Sequence, residues 1–277
     1  MSKKNFGLPF NNIAGGLGNL GQLFGGEVSE ATHINPAEAA RTLRARSIRR
    51  PQVEDDWRAR PTLKHPYPVV LIHGTSDNNG CWEKLAPQLR RGGYCVFAPN
   101  YGHFGEAALN ENAAQVEAFL DAVVTITGAE KLILIGHSQG GLLARYYAAR
   151  NPGKVAHVIA IAATNQRTTV GDFIKDTMLG ETLLTDFFGV AGWEQMAGSP
   201  FYQEVEKYPE VTRQVSFTCI ASRADATVIP PTHCFLEGAK NIWVQDVYPT
   251  SRVPHTLMPV DRRVRHMVMK DLREAGI

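Results

Sequence analysis

The chain has 277 residues, 44% of them hydrophobic, which is enough to bury a full-sized core in one domain. Its 29 basic and 27 acidic side chains nearly cancel to a formal net charge of +2, so nucleic-acid binding is not expected. No run of about 18 apolar residues occurs, and membrane-spanning helices drop out of the expected elements.

Met1-Ser2-Lys3-Lys4 is a basic start, but glycines and asparagines follow where a secretory signal needs a continuous apolar core and a small-residue cleavage site. The expected compartment is therefore cytoplasmic, with membrane association or secretion from a longer precursor as alternatives. Residues 1–60 are expected to form a partly flexible amino-terminal arm ahead of an enzyme domain at 61–277. Phe6, Phe10, Ile13, Leu17, Leu20 and Phe24 alternate four- and three-residue steps, which would make one stripe on a helix. Seven glycines in the first 26 residues oppose an isolated helix, at about 1 kcal/mol each relative to Ala. The segment 6–24 reads either as an arm, packed or disordered, or as a helix that forms on a lipid surface. Five arginines between Arg41 and Arg50, followed by Glu54-Asp55-Asp56, read as a solvated helix face or linker.

Pro68-Val69-Val70-Leu71-Ile72 has the length and composition of a buried strand and ends in His73-Gly74-Thr75. A turn of that kind presents a backbone N–H, here that of Thr75, toward a reacting oxygen, and His73 reads as a turn-ordering residue. Strands near 69–73, 94–98, 132–136, 157–163, 215–221 and 242–247, with helices near 80–91, 110–127, 140–150 and 260–273, predict a mostly parallel α/β sheet covered on both faces.

The most informative segment is Gly136-His137-Ser138-Gln139-Gly140, set between the apolar run Leu132–Ile135 and a helix-like stretch. That is the context of a nucleophile elbow, with Ser138 as nucleophile. Gly136 and Gly140 are needed because the turn is strained and neighbouring backbone comes too close for side chains. A serine hydroxyl is a weak nucleophile and needs a base and a group that orients the base, which follow in the order acid then histidine. Asp225 lies just past the strand candidate 215–221, and His255 sits in the loop ahead of the last helix. Asp246 and Asp261 are the rival acids, and His233 and His266 the rival bases. The backbone N–H groups of Thr75 and Gln139 are the expected oxyanion donors. Thr75, Ser138, Asp225 and His255 all follow a strand, on the edge where parallel sheets bind ligands.

Between the fourth and fifth strands, roughly 165–212, lie Phe173, Ile174, Met178, Leu179, Leu183, Leu184, Phe187, Phe188, Trp193 and Met196 in a stretch without strand character. It reads as a small cap over the nucleophile that favours acyl chains over charged substrates, or as residues that complete the core. No Walker motif, dinucleotide fingerprint, HExxH or metal-ligand histidine spacing is present, so neither cofactor nor metal is expected.

The segments His65–Thr75, Gly93–Ala98, Gly136–Tyr147, Ala197-Gly198-Ser199-Pro200-Phe201 and Gln245-Asp246 ahead of His255 resemble the actinobacterial class 2 triacylglycerol lipases. The resemblance covers roughly Glu54 to Leu272. It implies an α/β-hydrolase fold, lipase or esterase activity on small-molecule or lipid esters, and a triad at Ser138, Asp225 and His255. It also has departures: Ala59, Trp193 and Tyr248 stand where secreted members carry disulfide cysteines. That leaves Cys81, Cys95, Cys219 and Cys234 with no pairing chosen, and Cys95 and Cys219, in apolar strands, are expected to be free and buried. The missing family disulfides agree with a reducing compartment.

The expected activity is serine carboxylester hydrolysis through an acyl enzyme. Acyl transfer or thioester cleavage by the same residues is the alternative, and a noncatalytic binding protein on the same fold is the reading from another class.

Overall fold

The structure is a computed structural model that describes residues 50–170, 172 and 178–277. The apolar stripe at 6–24, the arginines up to Arg49, and Phe173 and Ile174 lie outside the described residues.

Among the described residues, strands β1 (Val69–Ile72), β2 (Val96–Phe97), β3 (Leu132–His137), β4 (Val155–Ile161), β5 (Ser216–Ala221) and β6 (Lys240–Trp243) form one sheet in the order β2-β1-β3-β4-β5-β6. All neighbours are parallel. Every residue of β1 and β3 is buried, as unbroken apolar strands require when both faces are covered. Alternate residues divide between two cores. Val69, Leu71, Ile133, Ile135, Ile159 and Ile161 enter one, while Val70, Ile72, Leu132, Leu134 and Val158 enter the other.

Helices α1 (Leu85–Arg91) and α6 (Arg262–Glu274) cover the first face; α2 (Leu109–Thr127) and α3 (Gln139–Arg150) cover the second. In α6, Val264, Met267, Val268 and Leu272 recur at helical spacing and point inward. Its start is set by Asp261, whose carboxylate accepts from the N–H groups of Arg263 at 2.7 Å and Val264 at 3.3 Å. At the other end of α2, Gly128 with φ 67° takes the left-handed position that closes the helix.

The strand expected at 157–163 runs two residues earlier, Val155–Ile161, and three further elements differ from the sequence expectation. The strand expected at 242–247 ends at Trp243, because Val244–Val247 is a helical turn that buries Val244 and swings Gln245 back toward the sheet. On the opposite edge β2 is only Val96–Phe97, since the Tyr94 N–H is engaged by Leu89 O at the end of α1. The helix expected at 80–91 is a 3-10 turn, Asn79–Trp82, followed by α1.

Packed structure starts ahead of residue 61. Val53 is buried and exchanges backbone hydrogen bonds with the Asn79 side chain, and the Trp57 ring lies 5.1 Å from Phe97 and 5.2 Å from Phe119. The β4–β5 connection carries α4 (Met178–Ala197) and α5 (Pro200–Glu206). Helix α4 breaks at Gly189, φ 71°, where a Cβ would stand 2.5 Å from that of Glu106. All four cysteines are free and buried. Burial pushes the thiols of Cys95 and Cys219 up to about 11 and about 12, so these side chains act as small hydrophobes.

Candidate active site

β3 runs to His137 and α3 starts at Gln139, leaving Ser138 as the one residue of the turn, with φ 53° and ψ −124°. An L-residue holds such a conformation only where its surroundings over-determine it. Here the Ser138 N–H donates to Ile161 O at the end of β4 (3.0 Å), and its carbonyl accepts from Gly141 N at 2.9 Å. The glycines make the close approach possible. A Cβ on Gly136 would lie 2.3 Å from the Gly140 carbonyl carbon, and one on Gly140 would lie 2.1 Å from Ile72 O. Gly141, which the elbow motif does not mark, is under the same constraint, since its Cβ would stand 2.5 Å from that of Ala163.

The end of β1 abuts this elbow, since a Cβ on Gly74 would be 3.0 Å from Ser138 Cβ. His73 orders that turn. Its Nδ1–H donates to Gly74 O (2.8 Å), its ring stacks on Tyr101 at 4.3 Å, and the Tyr101 hydroxyl donates to His73 O at 2.6 Å. Burial depresses the His73 pKa to about 4, so it is neutral near pH 7. Thr75 follows, partly exposed, and its Oγ1 accepts from Gln139 Nε2 at 2.7 Å. The Gln139 backbone N–H is the first of α3 and has no intrahelical acceptor.

Asp225 and His255 come together across the carboxyl end of β5. Asp225 Oδ2 accepts from His255 Nδ1 at 2.7 Å, and Oδ1 accepts from the N–H groups of Thr227 (2.8 Å) and Val228 (2.9 Å). Both residues are buried. A carboxylate on Nδ1 fixes the Nδ1–H tautomer and leaves Nε2 as the basic atom. His137, one residue before the serine, donates from Nε2 to His255 O at 3.0 Å, with ring centroids 4.8 Å apart. That bond ties the histidine loop to the elbow. Burial, with His255 adjacent, holds His137 well below the usual imidazole range and therefore neutral.

Gln245 braces the same corner. Its Nε2 donates to Ser222 Oγ and Ser251 O, both at 3.1 Å, and its Oε1 accepts from Arg223 N at 3.0 Å, so one side chain links the Asp225 and His255 loops. The sequence marked this position only through the Gln245-Asp246 resemblance. His137 carried no signal of its own in the elbow motif.

The rival residues have other partners. Asp246 is exposed and pairs with Arg223 at 2.7 Å, and Asp261 caps α6. His233 Nδ1 donates to Arg167 O at 2.6 Å, and His266 Nδ1 meets the Tyr248 hydroxyl at 2.6 Å. Among the described residues no group of three or more His, Cys, Asp or Glu side chains converges as metal ligands would, and no helix is long and apolar enough to cross a membrane. An open cleft lined by Thr62, Leu63, Tyr67 and Ala129 lies where the chain enters β1 and β3, at the end of the sheet away from these groups.

Residues 67–207, just over half of the chain, match the family model described as the alpha/beta hydrolase fold. The chain belongs to the α/β-hydrolase family. Within this hydrolase-fold family it is similar to a triacylglycerol lipase of Pseudarthrobacter phenanthrenivorans, 33% identical over 139 residues, 46% of this chain and 44% of that protein. A triacylglycerol lipase of Burkholderia plantarii is also 33% identical over 139 residues, again 46% of this chain and 39% of that protein. The match thus spans less than half the length of either relative. A solved structure, Bacillus licheniformis lipase BlEst2 in mature form, superposes with a TM-score of 0.58 over 82% of this chain and 95% of that one. At 16% identity that likeness is one of fold.

Proposed function

We propose that the protein is a cofactor-free serine carboxylester hydrolase. The observation that carries this reading is the buried Asp225–His255 pair, its histidine loop tied through His137 to the strained Ser138. In the proposed reaction His255 Nε2 takes the Ser138 proton as Oγ attacks the ester carbonyl, and the same proton is delivered to the departing alcohol. Asp225 holds the ring and stabilises the imidazolium that forms. The N–H groups of Thr75 and Gln139 bind the oxyanion, whose charge develops only in the transition state. Water, activated by His255, then releases the acyl group. Delivery to another alcohol would follow the same route.

The substrate class is carboxylic esters with apolar acyl chains. Residues 165–212 would form a cap over the nucleophile, which the bond from Gln195 on α4 to Thr75 supports. Residues 6–24 would supply a lipid-surface contact.

The test is a series of p-nitrophenyl esters of increasing chain length beside an emulsified triglyceride, run on wild type and Ser138→Ala. Cleavage by wild type, reduced at least roughly 10⁴-fold in a folded Ser138→Ala protein, is the expected result. Equal rates in the two proteins would overturn the reading, and preference for short soluble esters would make it an esterase.

A further inference from the structure

Two side-chain amides converge on the hydroxyl oxygen of Thr75. One is Gln139, whose Nε2 is 2.7 Å away; the other is Gln195 of α4, whose Nε2 is 2.9 Å away. An amide nitrogen carries two protons, and in both residues the second is also engaged, by Gly105 O at 2.8 Å and by Ala191 O at 2.9 Å. The amide oxygens are occupied as well: Gln139 Oε1 accepts from Asn112 Nδ2, and Gln195 Oε1 accepts from Thr164 Oγ1, each at 2.8 Å. These partners fix which end of each amide is nitrogen, because a reversed amide would set oxygen against a main-chain carbonyl oxygen.

A hydroxyl oxygen has two lone pairs, and at Thr75 each receives one amide proton. The side chain is then held in a single arrangement, and with it the Cα and adjoining peptide. The turn needs such a restraint, because Ser76 next in the chain has φ 54°, a conformation an L-residue does not keep unaided. The next residue, Asp77, donates its N–H to Phe104 O at 3.2 Å, and His73 Nδ1 holds Gly74 O at 2.8 Å, so the peptide that carries the Thr75 N–H is tied on the Gly74 side by His73 and on the Thr75 side by the clasp. Gln139 is wholly buried and Gln195 is 4% exposed.

We propose that Gln195 is a positioning residue for the oxyanion turn: with Gln139 it clasps Thr75 Oγ1 and holds the Thr75 N–H where the acyl oxygen develops charge. This rests on the ester hydrolase reading above. It also assigns a function to the carboxyl-terminal half of α4. That half is a fixed wall of the site, further tied by Ala191 N to Glu106 O (3.2 Å) and by Glu194 Oε2, which accepts from Leu109 N at 2.6 Å. A displacement of this half that opened the site would release one of the two donors on Thr75 and loosen the oxyanion turn with it. Substrate would then bind to an incompetent centre until the helix returned.

The test is a double-mutant cycle in the full chain with a short p-nitrophenyl ester: wild type, Gln195→Leu, Thr75→Val and the pair. Because the clasp acts on the transition-state oxyanion and not on ground-state binding, Gln195→Leu should lower kcat about 10-fold with KM changed less than about twofold. In the Thr75→Val background the same change should lower kcat less than about twofold, since the contact is already gone. Gln195→Met keeps the side-chain length but has no polar hydrogen for Thr75 and no lone pair that would take a hydrogen bond from its hydroxyl with comparable strength. It should match Gln195→Leu in kcat, and it replaces that variant if leucine prevents folding. Losses that multiply in the double variant, a wild-type kcat in Gln195→Met, or an effect on KM alone would each overturn the clasp. An active wild type that depends on Ser138 but gives multiplying losses refutes the clasp alone; a wild type no faster than Ser138→Ala refutes the hydrolase reading first.

Discussion

At the scale of single residues, the site is organised by who holds whom. Asp225 accepts three hydrogen bonds, two from backbone and one from His255, whereas Asp246 on the neighbouring turn is exposed and paired with Arg223. Asp225→Asn should therefore cost up to about 10⁴-fold in kcat, because an amide can stabilise the wrong imidazole tautomer. Asp246→Asn, which removes a solvent-screened pair, should leave ester hydrolysis within about twofold. Equal losses in the two variants would contradict the assignment. His73 gives a second, pH-dependent expectation. Its folded pKa is depressed by burial to about 4 from 6.5, so between those values the unfolded chain binds the extra proton. The contribution is complete above pH 6.5 and is lost as pH falls toward 4, to the extent of about 3 kcal/mol. His73→Asn, which retains a donor for Gly74 O, should show a smaller fall in Tm between pH 7.5 and 5 than wild type. Parallel falls in the two proteins would remove His73 as the cause.

At the scale of elements, the strand-turn-helix unit of β3 and α3 is built around contacts that only hydrogen at Cα allows. Gly140→Ala would drive a methyl group to 2.1 Å from Ile72 O, and since both sides are backbone the unit must shift, at about 3 kcal/mol or more. Gly153→Ala is the control, because nothing lies within 4 Å of the added carbon and the change should stay within about 0.5 kcal/mol of wild type. Urea denaturation of both variants measures the contrast. If Gly140→Ala unfolded at the wild-type midpoint, the steric account of the elbow would fail.

At the scale of the whole molecule, the described residues of the two apolar cores on either side of the sheet run from Val53 onward. The apolar stripe at 6–24 lies outside the described residues, and every candidate catalytic position follows residue 60. Deleting residues 1–30 should preserve hydrolysis of a soluble short-chain ester and weaken association with liposomes or lipid emulsions. Loss of folding together with soluble-ester activity would show that the stripe belongs to the hydrolase domain, and liposome binding unchanged by the deletion would remove the surface role.

What was legible in the sequence is what local chemistry dictates. The apolar runs that become β1 and β3 and the sequence of alternating strands and helices read correctly, because strand burial leaves its mark on adjacent residues, and the glycines around Ser138 stand where a Cβ would meet backbone. The sheet order β2-β1-β3-β4-β5-β6 had no such mark, since it depends on which crossover packs where. Nor did the helical turn at Val244–Val247, where β-branched residues favour a strand but the burial of Val244 and the reach of Gln245 to Ser222 and Ser251 decide otherwise. The place of His255, in the loop ahead of the last helix, singled it out over His233 and His266, but its 2.7 Å bond to Asp225 is a tertiary outcome. So is the approach of Gln195 to Thr75 across 120 residues of chain. A hydrogen bond between distant segments is specified by the packing of everything between them, and a single glutamine in a helix carries no trace of the partner it will reach.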